Sequence, residues 1–126
     1  MNVVDSSGWI EFLTAGPNGP AFKAVIQDTA TLVVPVIVIF EVFKYVFRTD
    51  GEKEAHTLTV AMQQSRVVDI DTSLALAAAR LSRDHGLAMA DSLIYAVART
   101  QRATLWTQEA DFQNLPGVRY LAKGGN

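Results

Sequence analysis

The sequence predicts an α/β fold, a short central parallel sheet with helices on both faces. Three observations carry the prediction. Apolar runs of three to five residues recur along the chain, at 2–4, 31–34, 67–70, 104–106 and 117–121. Runs this short are strands rather than helices. Between them lie longer stretches with helical spacing of apolar residues, and strands that alternate with helices build parallel sheets covered on both sides. Finally, 126 residues with 49% hydrophobic content suit one domain with a substantial core.

The elements follow in order. Asn2-Val3-Val4 opens the chain as a buried strand, and Asp5 ends it. Ser6 or Ser7 is placed to cap a helix running to about Thr14, with Trp9, Ile10, Phe12 and Leu13 as its apolar side. Residues 15–20, Ala-Gly-Pro-Asn-Gly-Pro, are a loop by composition. Pro20 suits the first turn of a second helix that turns Phe22, Val25 and Ile26 inward. The β-branched run 31–34 is the second strand. Pro35 then suits the first turn of a helix over 36–48. Its Val and Ile content favours strand, but its length and the step Ile37, Phe40, Lys44, Phe47 favour helix. Asp50-Gly51 breaks it. Residues 52–65 form a polar helix with Leu58 and Met62 inward, antiparallel to the one before.

Residues 67–70 are the third strand. Asp71 or Thr72 caps a helix from Ser73 to about Asp84, which carries Leu74, Ala78 and Leu81 and stops at His85-Gly86. Residues 89–101 are the next helix, with Asp91 in or just before its first turn. Strand four is 104–106, followed by a loop or short turn at 107–112, a last strand at 117–121 and a tail at 123–126. No repeats or low-complexity segments interrupt the series.

Composition excludes several functions. With no cysteine there is no disulfide, zinc–thiolate site or thiol nucleophile. The longest apolar run, 32–40, is interrupted by Pro35 and falls short of the roughly 20 residues a spanning helix requires. No signal peptide pattern is visible, so a cytoplasmic location is expected. The net charge of −2 argues against wholesale nucleic-acid binding. It is an average, however. Setting five clustered acids aside leaves eight of the 13 acidic residues against 11 basic ones, a mildly basic remainder compatible with a phosphate-backbone ligand.

Those five acids are Asp5 after strand one, Glu41 in an otherwise apolar helix, Asp91 at a helix start, and Glu109 and Asp111 after strand four. In a parallel sheet, strands one and four end at one edge and the helices between them begin there, where ligands collect. Each acid also has a plain explanation. Asp5 and Asp91 suit helix caps, and Glu109 and Asp111 suit an exposed loop. Glu41, between Val36-Ile37-Val38-Ile39-Phe40 and Val42-Phe43, is costly there without a partner, and Lys44 is a candidate partner for an ion pair. As a group the acids point to a hard divalent cation, Mg²⁺ or Mn²⁺, which relieves their repulsion and binds substrate phosphates. His56 and His85 lie in surface contexts. Ser6 and Thr107 are placed either to support the acids or to bond their own turns.

At this point the chain resembles a known family. Asp5-Ser-Ser, Glu41 in the third helix, Ala90-Asp91-Ser-Leu-Ile-Tyr-Ala, and Thr107-Gln-Glu-Ala-Asp-Phe112 look like the four acidic blocks of PIN-domain ribonucleases. The size and the N-terminal start resemble the VapC toxins of toxin–antitoxin pairs. The family often carries Thr-x-Asp-x-Asp-Phe where this chain has Glu109 and Asp111, which leaves the identity of the fourth acid open. The resemblance implies a PIN-like three-layer α/β/α fold and Mg²⁺-dependent hydrolysis of RNA, releasing a 5′-phosphate and a 3′-hydroxyl. Asp5 and Asp91 would hold a first ion, Glu41 would adjust its waters, and Glu109 or Asp111 would serve a second ion or the nucleophile. It also implies a homodimer and a cognate antitoxin whose tail covers the groove beside the helix carrying Phe40, Phe43, Tyr45, Val46 and Phe47. Two other functions remain open from sequence: a housekeeping PIN nuclease in RNA processing, and a non-enzymatic receiver-like phosphoacceptor. The second is weakened because the late strand leads to Thr107-Gln108-Glu109 rather than to a lysine.

Overall fold

β1 (Asn2–Val4) is the central strand of a five-stranded sheet in the order β3-β2-β1-β4-β5. The other strands are β2 (Leu32–Pro35), β3 (Arg66–Val68), β4 (Thr104–Thr107) and β5 (Val118–Tyr120), and every pairing is parallel. The computed structural model describes residues 1–124; Gly125 and Asn126 of the expected tail lie outside the described residues. Val3, Val4, Val33 and Val34 are fully buried. Successive side chains of a strand point to opposite faces, so both faces of β1 and β2 are covered.

The helices are α1 (Ser6–Leu13), α2 (Gly19–Gln27), α3 (Val36–Asp50), α4 (Glu52–Met62), α5 (Thr72–His85) and α6 (Met89–Thr100). They pack in consecutive pairs, α1 on α2, α3 on α4 and α5 on α6. The chain steps from β1 to β2 to β3 in one direction, then crosses back over β1's far side to β4. Right-handed crossovers therefore place α1–α4 on one face and α5–α6 on the other, which is the expected three-layer arrangement. The reversal falls between β1 and β4, whose carboxyl ends form a topological switch point.

Most elements lie within a residue or two of expectation, and the departures have local causes. Pro35 is the last residue of β2, paired with Val68, and its extended φ/ψ of −62°/137° makes it the residue before α3 rather than part of its first turn. β3 is shifted toward the N-terminus, at Arg66–Val68. Ile70 is 41% exposed, because it lies past the sheet on the way into α5. In α3 the buried stripe is Val38, Val42 and Val46, with β-branched residues every four positions. Phe40 and Phe47 are left on the outer surface.

Other details match. Pro20 lies in the first turn of α2, and Phe22, Val25 and Ile26 are buried. Asp71 caps α5 by accepting the Leu74 N–H at 2.8 Å, and Gly86 closes it in the left-handed conformation with φ 68°. Among the described residues, no helix is long and apolar enough to cross a membrane.

Candidate active site

Of the three candidate caps, Asp5, Ser6 and Ser7, Asp5 is the one that caps α1. Its Oδ1 accepts the Gly8 N–H at 2.9 Å and the Ser7 hydroxyl at 2.8 Å. Its Oδ2 accepts the Thr107 hydroxyl at 2.6 Å. The cap and the candidate site are therefore the same carboxylate. Thr107 is fully buried at the end of β4 and ties the carboxyl ends of β1 and β4 together. Its oxygen also accepts the Glu109 N–H at 2.9 Å, which fixes the start of the following 3₁₀ turn, Ala110–Phe112. Phe112 is fully buried and anchors that turn to the core.

Gly8 is a site-building residue that sequence reading missed. A Cβ there would stand 2.6 Å from Val4 Cγ1 and 2.9 Å from the Phe22 ring. Only glycine lets α1 lie this close to β1 and α2 while its N–H reaches Asp5. Nothing in the sequence marked it, because a single glycine inside an amphipathic helix carries no signature of what it touches.

Glu41 lies in the second turn of α3, directly after the carboxyl end of β2. The ion pair with Lys44, its plain explanation, does not form; among the described residues neither partner is in a salt bridge. Glu41 instead accepts the Ser6 hydroxyl at 2.6 Å. Lys44 is exposed on the outer surface, where solvation outweighs a contact across one turn. Ser6 and Glu41 thus link α1 to α3 at the edge where Asp5 lies.

Asp91 is in the first turn of α6. α6 leads back into β4, so its N-terminus lies at the edge where β4 ends. No side-chain cap bond forms at this terminus, which leaves the Asp91 carboxylate without the capping role that was its plain explanation. Burial, and then the charges of Glu109, Glu41 and Asp111, together push its pKa up to about 6. Asp5 is also raised to about 6, mainly by burial. Its bonds from Thr107, Gly8 and Ser7 pull the other way, and the Glu109 charge adds to the rise. Asp91 therefore lies in the field of Glu109, Glu41 and Asp111, and Asp5 in that of Glu109. Glu109 is felt by both Asp5 and Asp91, whereas exposed Asp111 is the weakest of the three charges acting on Asp91. Glu109 also meets Lys123 at 3.5 Å, with both side chains well exposed, a contact of little energetic weight.

Among the described residues no three of these side chains close into a ready cage for one ion. Like charges at this density hold one another apart. Mg²⁺ does not require such a cage, since it binds through one or two carboxylates and keeps several waters. The donor set consists only of oxygens. His56 lies on α4, in an exposed contact with Glu52 at 3.5 Å, and His85 packs edge-on against Tyr95.

The fold and site together define a doubly wound α/β domain with a buried aspartate, Asp5, at its switch point. The chain belongs to the PIN domain family, whose model matches residues 3–118, and this sets aside a receiver-like module. No curated protein matches the sequence. Solved structures share the fold. One is a toxin–antitoxin complex from Klebsiella pneumoniae, with a TM-score of 0.80 and 20% identity over 94% of this chain and 96% of that one. Another is VapC20 of Mycobacterium tuberculosis, a sarcin–ricin loop cleaving toxin, with a TM-score of 0.69 and 19% identity over 89% and 92% of the two chains. A third is the DNA-bound VapBC of Salmonella typhimurium, with a TM-score of 0.73 and 15% identity over 97% and 98%.

Proposed function

We propose that this chain is a metal-dependent endoribonuclease and the toxin of a toxin–antitoxin pair. The observation that carries the nuclease reading is Asp5, tied by Thr107 to the end of β4 at the β1/β4 switch point and sharing the charge of Glu109 with Asp91, with both aspartates raised to about 6. The family match supports the reaction class, and the toxin–antitoxin proteins that share the fold over nearly their whole length support the biological role.

Asp5 and Asp91 are the residues that would hold Mg²⁺ or Mn²⁺, with Glu41 beside them. A hard divalent ion bound there supplies an activated water and neutralises charge on the phosphate. The chain's own residues do the positioning. Thr107, Gly8 and Ser7 fix the Asp5 carboxylate, and Ser6 fixes Glu41. Glu109 is the better candidate than Asp111 for the fourth acid, because its backbone is held by Thr107 and its charge reaches both Asp5 and Asp91. There it accepts a hydrogen bond from the attacking water and orients it. The partners that follow from this reading are an RNA substrate, a cognate antitoxin and a second copy of the chain.

The test is cleavage of structured RNAs in Mg²⁺ or Mn²⁺. Activity abolished by EDTA and by Asp5→Asn is expected; cleavage that survives either overturns the metal-site reading. Growth arrest on expression, relieved by Asp91→Asn, is expected of a toxin, and normal growth points to a housekeeping nuclease.

A further inference from the structure

A cleft of about 250 Å³ opens beside the acids, lined by Ser6, Ile10, Phe40, Glu41, Lys44, Tyr45 and Arg48. One wall is α1, through Ser6 and Ile10. The other is α3, where Phe40, Lys44 and Arg48 recur every four residues and Glu41 and Tyr45 form the adjacent row. Residues four apart share a helix face, so the cleft runs along α3 from the Ser6–Glu41 bond toward Arg48.

Its chemistry changes along that line. It begins at a carboxylate of the candidate site and continues into two cations. Among the described residues neither Lys44 nor Arg48 forms an ion pair. Arg48 lies over the Tyr45 ring, 5.5 Å from its centroid, which holds its guanidinium in the cleft. The Phe40 ring is 60% exposed at the site end. Two free cations about 6 Å apart along a helix axis, with an exposed ring beside them, match a single strand that offers successive phosphates and an unstacked base.

We propose that this cleft holds the RNA segment next to the scissile phosphate, with Lys44 and Arg48 on neighbouring phosphates and Phe40 stacking a base. The proposal rests on the nuclease reading and gives that site a polarity: substrate enters along α3 from one side. A peptide would satisfy the cations with carboxylates or the ring with apolar side chains. The alternation of acid, ring and two cations in one line favours the phosphodiester.

The test uses a fluorescein-labelled single-stranded RNA and the full chain in EDTA, so that binding is read without turnover. Anisotropy across a salt series should give Lys44→Ala and Arg48→Ala each a shallower dependence of log K on log salt, by about 0.7 per lost phosphate contact. In Mg²⁺, each substitution should raise KM about tenfold and leave kcat nearly unchanged, the pattern of a contact made equally in ground and transition states. Arg80→Ala, on α5 in the opposite layer, should change neither. These side chains are exposed, and circular dichroism of each variant should match that of the wild type.

A wild-type chain that cleaves no RNA overturns the nuclease reading and the cleft with it. Cleavage by the wild type, with KM and salt slope unchanged in the Lys44→Ala/Arg48→Ala double variant, overturns the cleft alone. Unchanged RNA binding together with a dimer-to-monomer shift on Phe40→Ala assigns the surface to a protein occupant, and also overturns the proposal.

Discussion

Replacing Asp5 by Asn should stabilise the metal-free protein while abolishing its activity. The Asp5 pKa lies near 6 in the fold against an ordinary value of 3.8. The folded state therefore holds the proton more tightly than the unfolded chain, and the cost of ionising Asp5 grows as the pH rises past 3.8 and is complete above about 6. A rise of roughly two units corresponds to about 3 kcal/mol at neutral pH. Asn keeps an oxygen for the Gly8 N–H and the Ser7 hydroxyl but loses an acceptor for Thr107, which costs about 1 kcal/mol. A net gain of about 1–3 kcal/mol remains, or about 3–4 °C in Tm per kcal/mol for a chain of this size. Thermal denaturation in EDTA at pH 7.5 and pH 4.5 measures it. The gain should be large at the higher pH and should shrink at the lower, where wild-type Asp5 is already largely protonated. A gain equal at both pH values, or a loss at pH 7.5, would refute the assignment of strain to the buried charge.

Other expectations follow from the same contacts. Mg²⁺ should raise the Tm of the wild type by mass action and should raise that of Asp5→Asn much less, as differential scanning fluorimetry would report. Gly8→Ala forces a methyl group against Val4 and Phe22 and should cost about 1–3 kcal/mol in chemical denaturation. An unchanged midpoint would mean that α1 is free to move. Thr107→Val removes the donor to Asp5 and the acceptor of the Glu109 N–H, and should lower kcat far more than Thr107→Ser. Equal activity of the two would deny Thr107 a positioning role. Glu109→Gln should impair cleavage more than Asp111→Asn; the reverse order would make Asp111 the fourth acid.

The centre of the sheet was legible in the sequence because β1 and β2 are almost wholly buried. Val3-Val4 and Val33-Val34 carry no polar alternation, and such runs have few other uses in a chain that also shows helical spacing. The exact ends of β3 and α3 were less legible, because they depend on where neighbours stop: β3 ends where its pairing with β2 ends, at Val68–Pro35. Topology alone suggested that the acids share one sheet edge, since strands one and four end there. Their supports were not legible. The bonds from Ser6 to Glu41 and from Thr107 to Asp5 span 35 and 102 residues, and no local pattern encodes a contact of that separation. The Glu41–Lys44 pair left open by the sequence shows the converse: proximity along a helix offered a partner, but Lys44 is exposed and unpaired among the described residues.

The 102-residue span between Asp5 and Thr107 has a consequence for the cell that makes this protein. β1 is the first strand to leave the ribosome, yet β4, one of its two neighbours in the sheet, is synthesised near the end of the chain. At about 5–20 residues per second, roughly 5–20 s separate the two. During that interval the nascent chain carries Asp5 and Glu41 but has no Thr107 or Glu109 to complete the edge. On the nuclease reading, a fragment that stops short of β4 lacks the Thr107 that fixes Asp5 and should cleave no RNA, so the site forms only when β4 joins the sheet.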